Sequence, residues 1–155
     1  MLALLVPDAA QVERWLRQAG IQHYICDQCH GLHLSELQGR DGVLDSRLFV
    51  EEDGLLLTTE LEIRPGSLLM MLSEISRLNM AWPTLKIFID VNDDALPRVV
   101  ACDLLLGRAG VTFEQFIHFV QANVDATAQL LEECQQLGCL FGPDDEPVPE
   151  RDALH

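Results

Sequence analysis

The side chains best equipped for chemistry in this 155-residue chain are crowded into one run, Cys26-Asp27-Gln28-Cys29-His30-Gly31-Leu32-His33. Two thiols three positions apart, with imidazoles close behind, are the raw material of haem attachment, zinc binding or dithiol redox chemistry. Haem attachment through Cys-x-x-Cys-His needs export. The opening Met1-Leu2-Ala3-Leu4-Leu5-Val6-Pro7 has no basic region and breaks at Pro7-Asp8, too short for a secretion signal. A thioredoxin-like dithiol owes its low thiol pKa to a first cysteine at a helix N-terminus, whereas Gly31-Leu32-His33-Leu34 reads as a strand. A structural zinc site needs four tetrahedral ligands. Cys26 and Cys29 supply two; His33, Cys102, Cys134 or His118 would have to complete the set, with His33 the candidate third, and no second ligand pair is present. The sequence therefore predicts substoichiometric zinc. It also predicts that a Cys26→Ser/Cys29→Ser variant folds with a loss on the order of 1 kcal/mol.

The other polar clusters carry less. Asp90-Val91-Asn92-Asp93-Asp94 imitates the start of a calcium loop, but Ala95 and Ala101 stand where that loop needs glycine and glutamate. Glu60 and Glu62 share one face of a strand, with Asp45 and Arg47 on its neighbour. Paired carboxylates do acid–base work only in a pocket that separates their pKa values, and a solvated sheet face accounts for these. His23, His33 and His118 each have a structural explanation, His118 lying between Ile117 and Phe119 on a helix. No nucleophile, base and orienting group stand out together. No catalytic residue is assigned and no cofactor is implied.

Composition narrows the class. The formal charge is −15, from 25 acidic and 10 basic residues, and Lys86 is the sole lysine. Such a chain repels nucleic acid and anionic membrane surfaces. No segment approaches the roughly 18–20 apolar residues that span a bilayer. Five cysteines, an odd number, argue for reduced thiols and a cytoplasmic protein rather than a disulfide framework.

The elements that must position these residues follow from periodicity and breakers. Asp8 caps a helix carrying Val12, Trp15, Leu16 and Ala19, stopped at Gly20. Short extended segments are expected at 22–26 and 32–37. Longer strands are expected at 43–50 and 55–63, joined at Glu52-Asp53-Gly54. Arg64-Pro65-Gly66 breaks the chain before a helix through Leu68, Leu69, Leu72, Ile75 and Leu78. Strands at 85–89 and 99–106 flank the acidic loop. Thr112 and Gln115 form a capping box for a last helix that runs to about residue 137. The order α-β-β-β-β-α-β-β-α predicts an α+β fold, an antiparallel sheet with helices packed on it, rather than a doubly wound parallel sheet. No glycine-rich turn joins a strand to a helix, so a nucleotide site has no support.

Five segments then occur in a telling order. They are Cys26-Asp27-Gln28-Cys29 with Leu32-His33-Leu34; Asp41-Gly42-Val43; Ile63-Arg64-Pro65; Asp93-Asp94-Ala95-Leu96-Pro97-Arg98-Val99-Val100; and Gly110-Val111-Thr112-Phe113-Glu114-Gln115-Phe116. From about residue 6 to residue 141 the chain resembles the YbjN family, bacterial proteins described as sensory transduction regulators. The resemblance implies a fold similar to type III secretion chaperones, which commonly dimerise and bind other polypeptides, and it implies no catalytic residue.

The expectation is one domain over 1–141 and an acidic, flexible tail over 142–155. The expected function is that of a non-enzymatic, cytoplasmic, regulatory or chaperone-like protein, a homodimer that binds another polypeptide. The competing reading is a metal- or thiol-based sensor built on Cys26, Cys29 and His33. For partner binding the sequence points to the last helix. At about 25 residues it spans roughly 38 Å, more than a small sheet readily covers, so Phe113, Phe116, Val120, Leu131 and Leu137 are expected to leave apolar surface for a second subunit or client.

Overall fold

The computed structural model describes residues 3–142 and Asp145. Helix α1 (Ala9–Gln18) starts at Asp8, whose carboxylate accepts the Gln11 N–H at 2.8 Å, as its sequence signal requires. It leads into β1 (His23–Ile25) and β2 (Leu32–Leu34). A four-residue helix, α2 (Ser35–Gln38), follows, and then β3 (Val43–Val50) and β4 (Gly54–Glu62). A single 3-10 turn at Pro65–Ser67 opens α3 (Leu68–Ala81). Strands β5 (Lys86–Asp90) and β6 (Arg98–Leu106) precede the long α4 (Phe113–Gln136). In α4 the capping box is complete: the Thr112 hydroxyl accepts from Gln115 N–H at 3.0 Å, and the Gln115 side chain accepts from Thr112 N–H at 2.8 Å.

The six strands form one antiparallel sheet in the order β1-β2-β3-β4-β6-β5. The α+β class and the antiparallel sheet agree with the sequence reading. One element differs. The segment expected as a strand over 32–37 is extended only to Leu34, then turns as α2 so that Leu37 can enter the core. Four residues are too few to show a helical period.

Alternation assigns the two sheet faces. Leu48, Leu55, Leu57, Leu61, Ile87, Val99 and Ala101 point inward, and each helix contributes its buried residues to the same side. The interior is two apolar clusters. The first holds α1, Leu34, Leu37, Leu48, Leu57 and the α4 stretch from Phe116 to Val124. The second holds α3, Leu61, Ile87, Val99, Leu130 and Leu131. Where the elements cross from one cluster to the other, their inward residues are polar. Ser46 and Thr59 share a hydrogen bond at 3.0 Å, the Thr127 hydroxyl donates to Asn123 Oδ1 at 3.1 Å, and Asp103 lies between Ala101 and Leu105 on β6. Asn123 Nδ2 is buried with no partner among the described residues.

The outer edge of the sheet is closed by a side chain. Asn79 of α3 accepts the Ile87 N–H at 3.0 Å and donates to the Ile87 carbonyl at 2.9 Å. An amide group thus occupies the place of a further strand. Most of the expected acidic tail lies outside the described residues. Of its described members, Asp145 accepts from Gly142 N–H at 2.8 Å and pairs with Arg64 at 2.9 Å; both contacts lower its carboxyl pKa.

Candidate functional site

Antiparallel pairing of β1 with β2 sets Tyr24 opposite His33, and β2 with β3 sets His33 opposite Arg47. All three belong to the face opposite the helices. The turn between β1 and β2 is tight. Cys26 N–H bonds to the Gly31 carbonyl at 3.3 Å, and His30 takes a left-handed φ of 56°. At Gly31 a Cβ would stand 3.0 Å from the Phe49 ring of β3, so any side chain there would require that ring to shift. The turn brings the Cys26 and Cys29 sulfurs and a ring nitrogen of His33 within 4.8 Å of one another.

His33 is firmly held. It is 5% exposed and stacks on Tyr24, with ring centroids 4.7 Å apart and planes 2° from parallel. Its Nδ1 lies 2.7 Å from Gln38 Oε1. The Gln38 amide is itself oriented, because its oxygen accepts from Ser46 N–H at 2.9 Å and its nitrogen donates to the Leu44 carbonyl at 2.8 Å. A carbonyl oxygen only accepts, so Nδ1 carries the proton. In the neutral ring Nε2 then presents a lone pair, and it faces Cys29 Sγ at 3.3 Å. The Cys26 thiol is lowered to about 7 by its hydrogen bond with Cys29, assisted by the backbone at Gln28 and Cys29 and by His33.

The other three cysteines are of a different kind. Burial raises the Cys102 thiol. Cys134 and Cys139 are buried together, and the Cys139 contact, followed by burial, holds the Cys134 thiol well above its usual value. The same contact lowers the Cys139 thiol, but both of that pair are buried, so Cys26 and Cys29 are the adjacent thiols that are not.

The cluster sits at one end of the helix-free sheet face. Across that face run the registered rows Phe49–Leu56–Leu104 and Arg47–Thr58–Cys102–Lys86. Leu106 is 72% exposed, Leu104 44% and Phe88 38%. Glu60 lies between Arg47 and Arg98, with its carboxylate 3.4 and 3.5 Å from their guanidinium nitrogens. Arg47 also covers the Phe49 ring at 5.3 Å. With Lys86 and Arg98 on the same side, the face is close to neutral, unlike the strongly acidic molecule as a whole. Glu60, paired on both sides, makes an ion pair rather than an acid–base centre.

The expected partner surface on α4 needs correction. Phe116, Val120 and Leu131 are buried core residues, 0%, 1% and 2% exposed. Phe113 packs edge-on against Trp15 at 6.1 Å, and Leu137 is partly buried against the second cluster. The helix is as long as expected, but the sheet is six strands wide, and α1 and α3 cover what the strands do not. Val120 does help line a cleft of about 740 Å³ between the end of α1, the start of α2 and α4. Glu36 and Asp125 are the titratable groups of that cleft, too few for a catalytic set.

The fold and this cluster can now be set beside known proteins. The family model described as "Putative bacterial sensory transduction regulator", YbjN, matches residues 8–136. The chain is 34% identical to "Uncharacterized protein YbjN" of Escherichia coli K12 over 146 residues, covering 94% of this chain and 92% of that one. The chain belongs to the YbjN family. The YbjN protein of Shigella flexneri is equally similar, at 34% identity over the same length. The crystal structure of YbjN from E. coli matches with a TM-score of 0.86 at 32% identity, covering 90% of this chain and 99% of that one. The family description is that of a regulator, and among the described residues no helix is long and apolar enough to cross a membrane.

Proposed function

We propose that this YbjN-family protein is a cytoplasmic, chaperone-like regulator that acts by binding another polypeptide and has no catalytic centre of its own. The observation that carries the reading is the helix-free sheet face with its exposed Leu104, Leu106 and Phe88. A sheet face that meets only water is normally polar. Here an apolar row runs across three strands and is flanked by paired charges, the composition of a contact surface. Its near neutrality lets a partner approach, while the acidic remainder of the surface favours a polypeptide with basic flanks. The two exposed leucines stand on β6 beyond Cys102, its last residue paired with β5. A client strand therefore has both an apolar face and an open backbone edge to use.

The homodimer is proposed on the family resemblance and has a separate readout, the light-scattering mass at micromolar concentration. The partner proposal is tested with Leu104→Glu/Leu106→Glu. Both side chains are exposed, so the variant is expected to fold with an unchanged circular dichroism spectrum. It is expected to lose the polypeptide that the wild-type protein captures. Undiminished capture by the folded variant, or protection from hydrogen exchange confined to the helical side when the partner binds, would refute the assignment of this face.

A further inference from the structure

We propose that Cys26, Cys29 and His33 form a three-ligand binding site for a thiophilic divalent metal ion, zinc above all, with the fourth coordination position left open. This stands apart from the partner reading and rests on the cluster alone.

The sequence withheld zinc from these residues for want of a second ligand pair. The structure changes the weight of the third ligand. Tetrahedral zinc with thiolate and imidazole ligands holds its donor atoms about 3.5–3.8 Å apart, from bonds of about 2.3 and 2.0 Å. Here all three donors lie within 4.8 Å, and Cys29 Sγ and His33 Nε2 are at 3.3 Å. Side-chain adjustments of a few tenths of an ångström to about 1 Å complete the geometry. The donors also have the right character. Two sulfurs and an imidazole suit zinc and leave calcium and magnesium, which need oxygen ligands, without a site.

The second layer argues more strongly than the distances. A metal-binding histidine almost always gives its other ring N–H to a fixed acceptor, which sets the tautomer and aims the free lone pair at the metal. His33 does this through Gln38, and Gln38 is fixed in turn by the backbone of Ser46 and Leu44. The stacked Tyr24 fixes the ring plane. A neutral core histidine needs a partner for its N–H and one for its bare nitrogen; here Gln38 takes the N–H, and the bare nitrogen is turned to Cys29 at 3.3 Å with Cys26 beside it. His30, the next imidazole in sequence, is not part of the group of donor atoms. Among the described residues no fourth donor joins the group, which leaves the fourth position to water or to a ligand from a bound molecule, the mark of an exchangeable site rather than a closed structural one.

The test uses the full chain, reduced and freed of metal, with all five thiols verified by titration with a thiol reagent. Cobalt(II) is the probe. The expected result is saturable absorption from tetrahedral cobalt in the red, with thiolate charge transfer in the near ultraviolet. Both are expected to vanish when zinc is added and to be absent in Cys26→Ser/Cys29→Ser and in His33→Ala. Cys102→Ser is expected to leave them intact. Gln38 is a positioning residue. Gln38→Leu is expected to keep the cobalt spectrum while weakening the affinity about 10- to 100-fold, with the melting curve of each metal-free variant recorded alongside. Fully reduced wild-type protein that gives no tetrahedral cobalt spectrum would overturn the proposal, and so would a spectrum that survives in the double cysteine variant.

Discussion

Asn79→Leu is the most informative single substitution away from the cysteines. The change conserves size and removes the amide that closes the β5 edge. Asn79 makes two hydrogen bonds to the strand, with Ile87 N–H at 3.0 Å and the Ile87 carbonyl at 2.9 Å. A net hydrogen bond contributes about 0.5–1.5 kcal/mol, and a buried group left unpaired costs about 1–3 kcal/mol. Ile87 itself is 3% exposed, and a leucine at 79 would cover its freed backbone groups without bonding them. The two losses together give about 3 kcal/mol, or a melting temperature lower by roughly 6–12 °C at this chain length. Asn79→Ala should cost less, about 1–2 kcal/mol, because water can reach the uncovered groups. The ordering is the diagnostic, since leucine and alanine have similar helix propensities. Equilibrium urea unfolding measures both variants, and hydrogen exchange at the Ile87 amide reports the opened edge directly. If Asn79→Leu stays within about 0.5 kcal/mol of wild type, as an ordinary surface change would, the amide is not closing the edge and the reasoning fails.

Two further outcomes are expected. Phe116→Ala, at a fully buried position against Trp15, should cost about 3–5 kcal/mol in urea unfolding. Met80→Ala, at an 81% exposed position, should stay within about 0.5 kcal/mol; comparable losses would mean the core is misplaced. Asp103 has its carboxyl raised above the ordinary 3.8 by burial, so the fold favours the protonated form. That stability is complete below the ordinary pKa and is lost as pH rises through the raised value. Asp103→Asn should therefore raise the melting temperature at pH 7 and have a much smaller effect at pH 3. An equal effect at both pH values would rule out the desolvated carboxylate as the cause.

The parts of this fold that could be read from sequence are those held by local chemistry. Asp8 and the Thr112/Gln115 box announce helices because capping acts over three residues. Thr58, Glu60 and Glu62 announce a strand with one wetter face because side chains alternate. α2 was not legible because its stability lies in burying Leu37, a tertiary event. The misjudged face of α4 has the same origin: periodicity gives the width of an apolar stripe but not what covers it. A clue to the true open face was present in Leu55-Leu56-Leu57 and Leu104-Leu105-Leu106. Unbroken apolar runs in antiparallel strands mean that the outward residues are apolar too. Cys26, Cys29 and His33 could be named from spacing, but Gln38 could not. A glutamine acquires its role here only when β3 supplies Ser46 N–H and the Leu44 carbonyl to orient it.

The polar seam through the interior, from Ser46 and Thr59 to Asp103, Asn123 and Thr127, has a consequence for cooperativity. Apolar packing couples residues strongly within each cluster, whereas the seam offers hydrogen bonds, a half-buried carboxylate and one amide nitrogen without a partner among the described residues. The two clusters are therefore expected to open as separate units, one around α1 and the start of α4, the other around α3 and the end of α4, and amide hydrogen exchange would show two sets of protection factors. Substitutions within a unit interact, and those on opposite sides add. The helix-free sheet face crosses both units. A partner bound along it, as proposed above, would span both clusters, so its binding is expected to sharpen the unfolding transition as well as raise its midpoint.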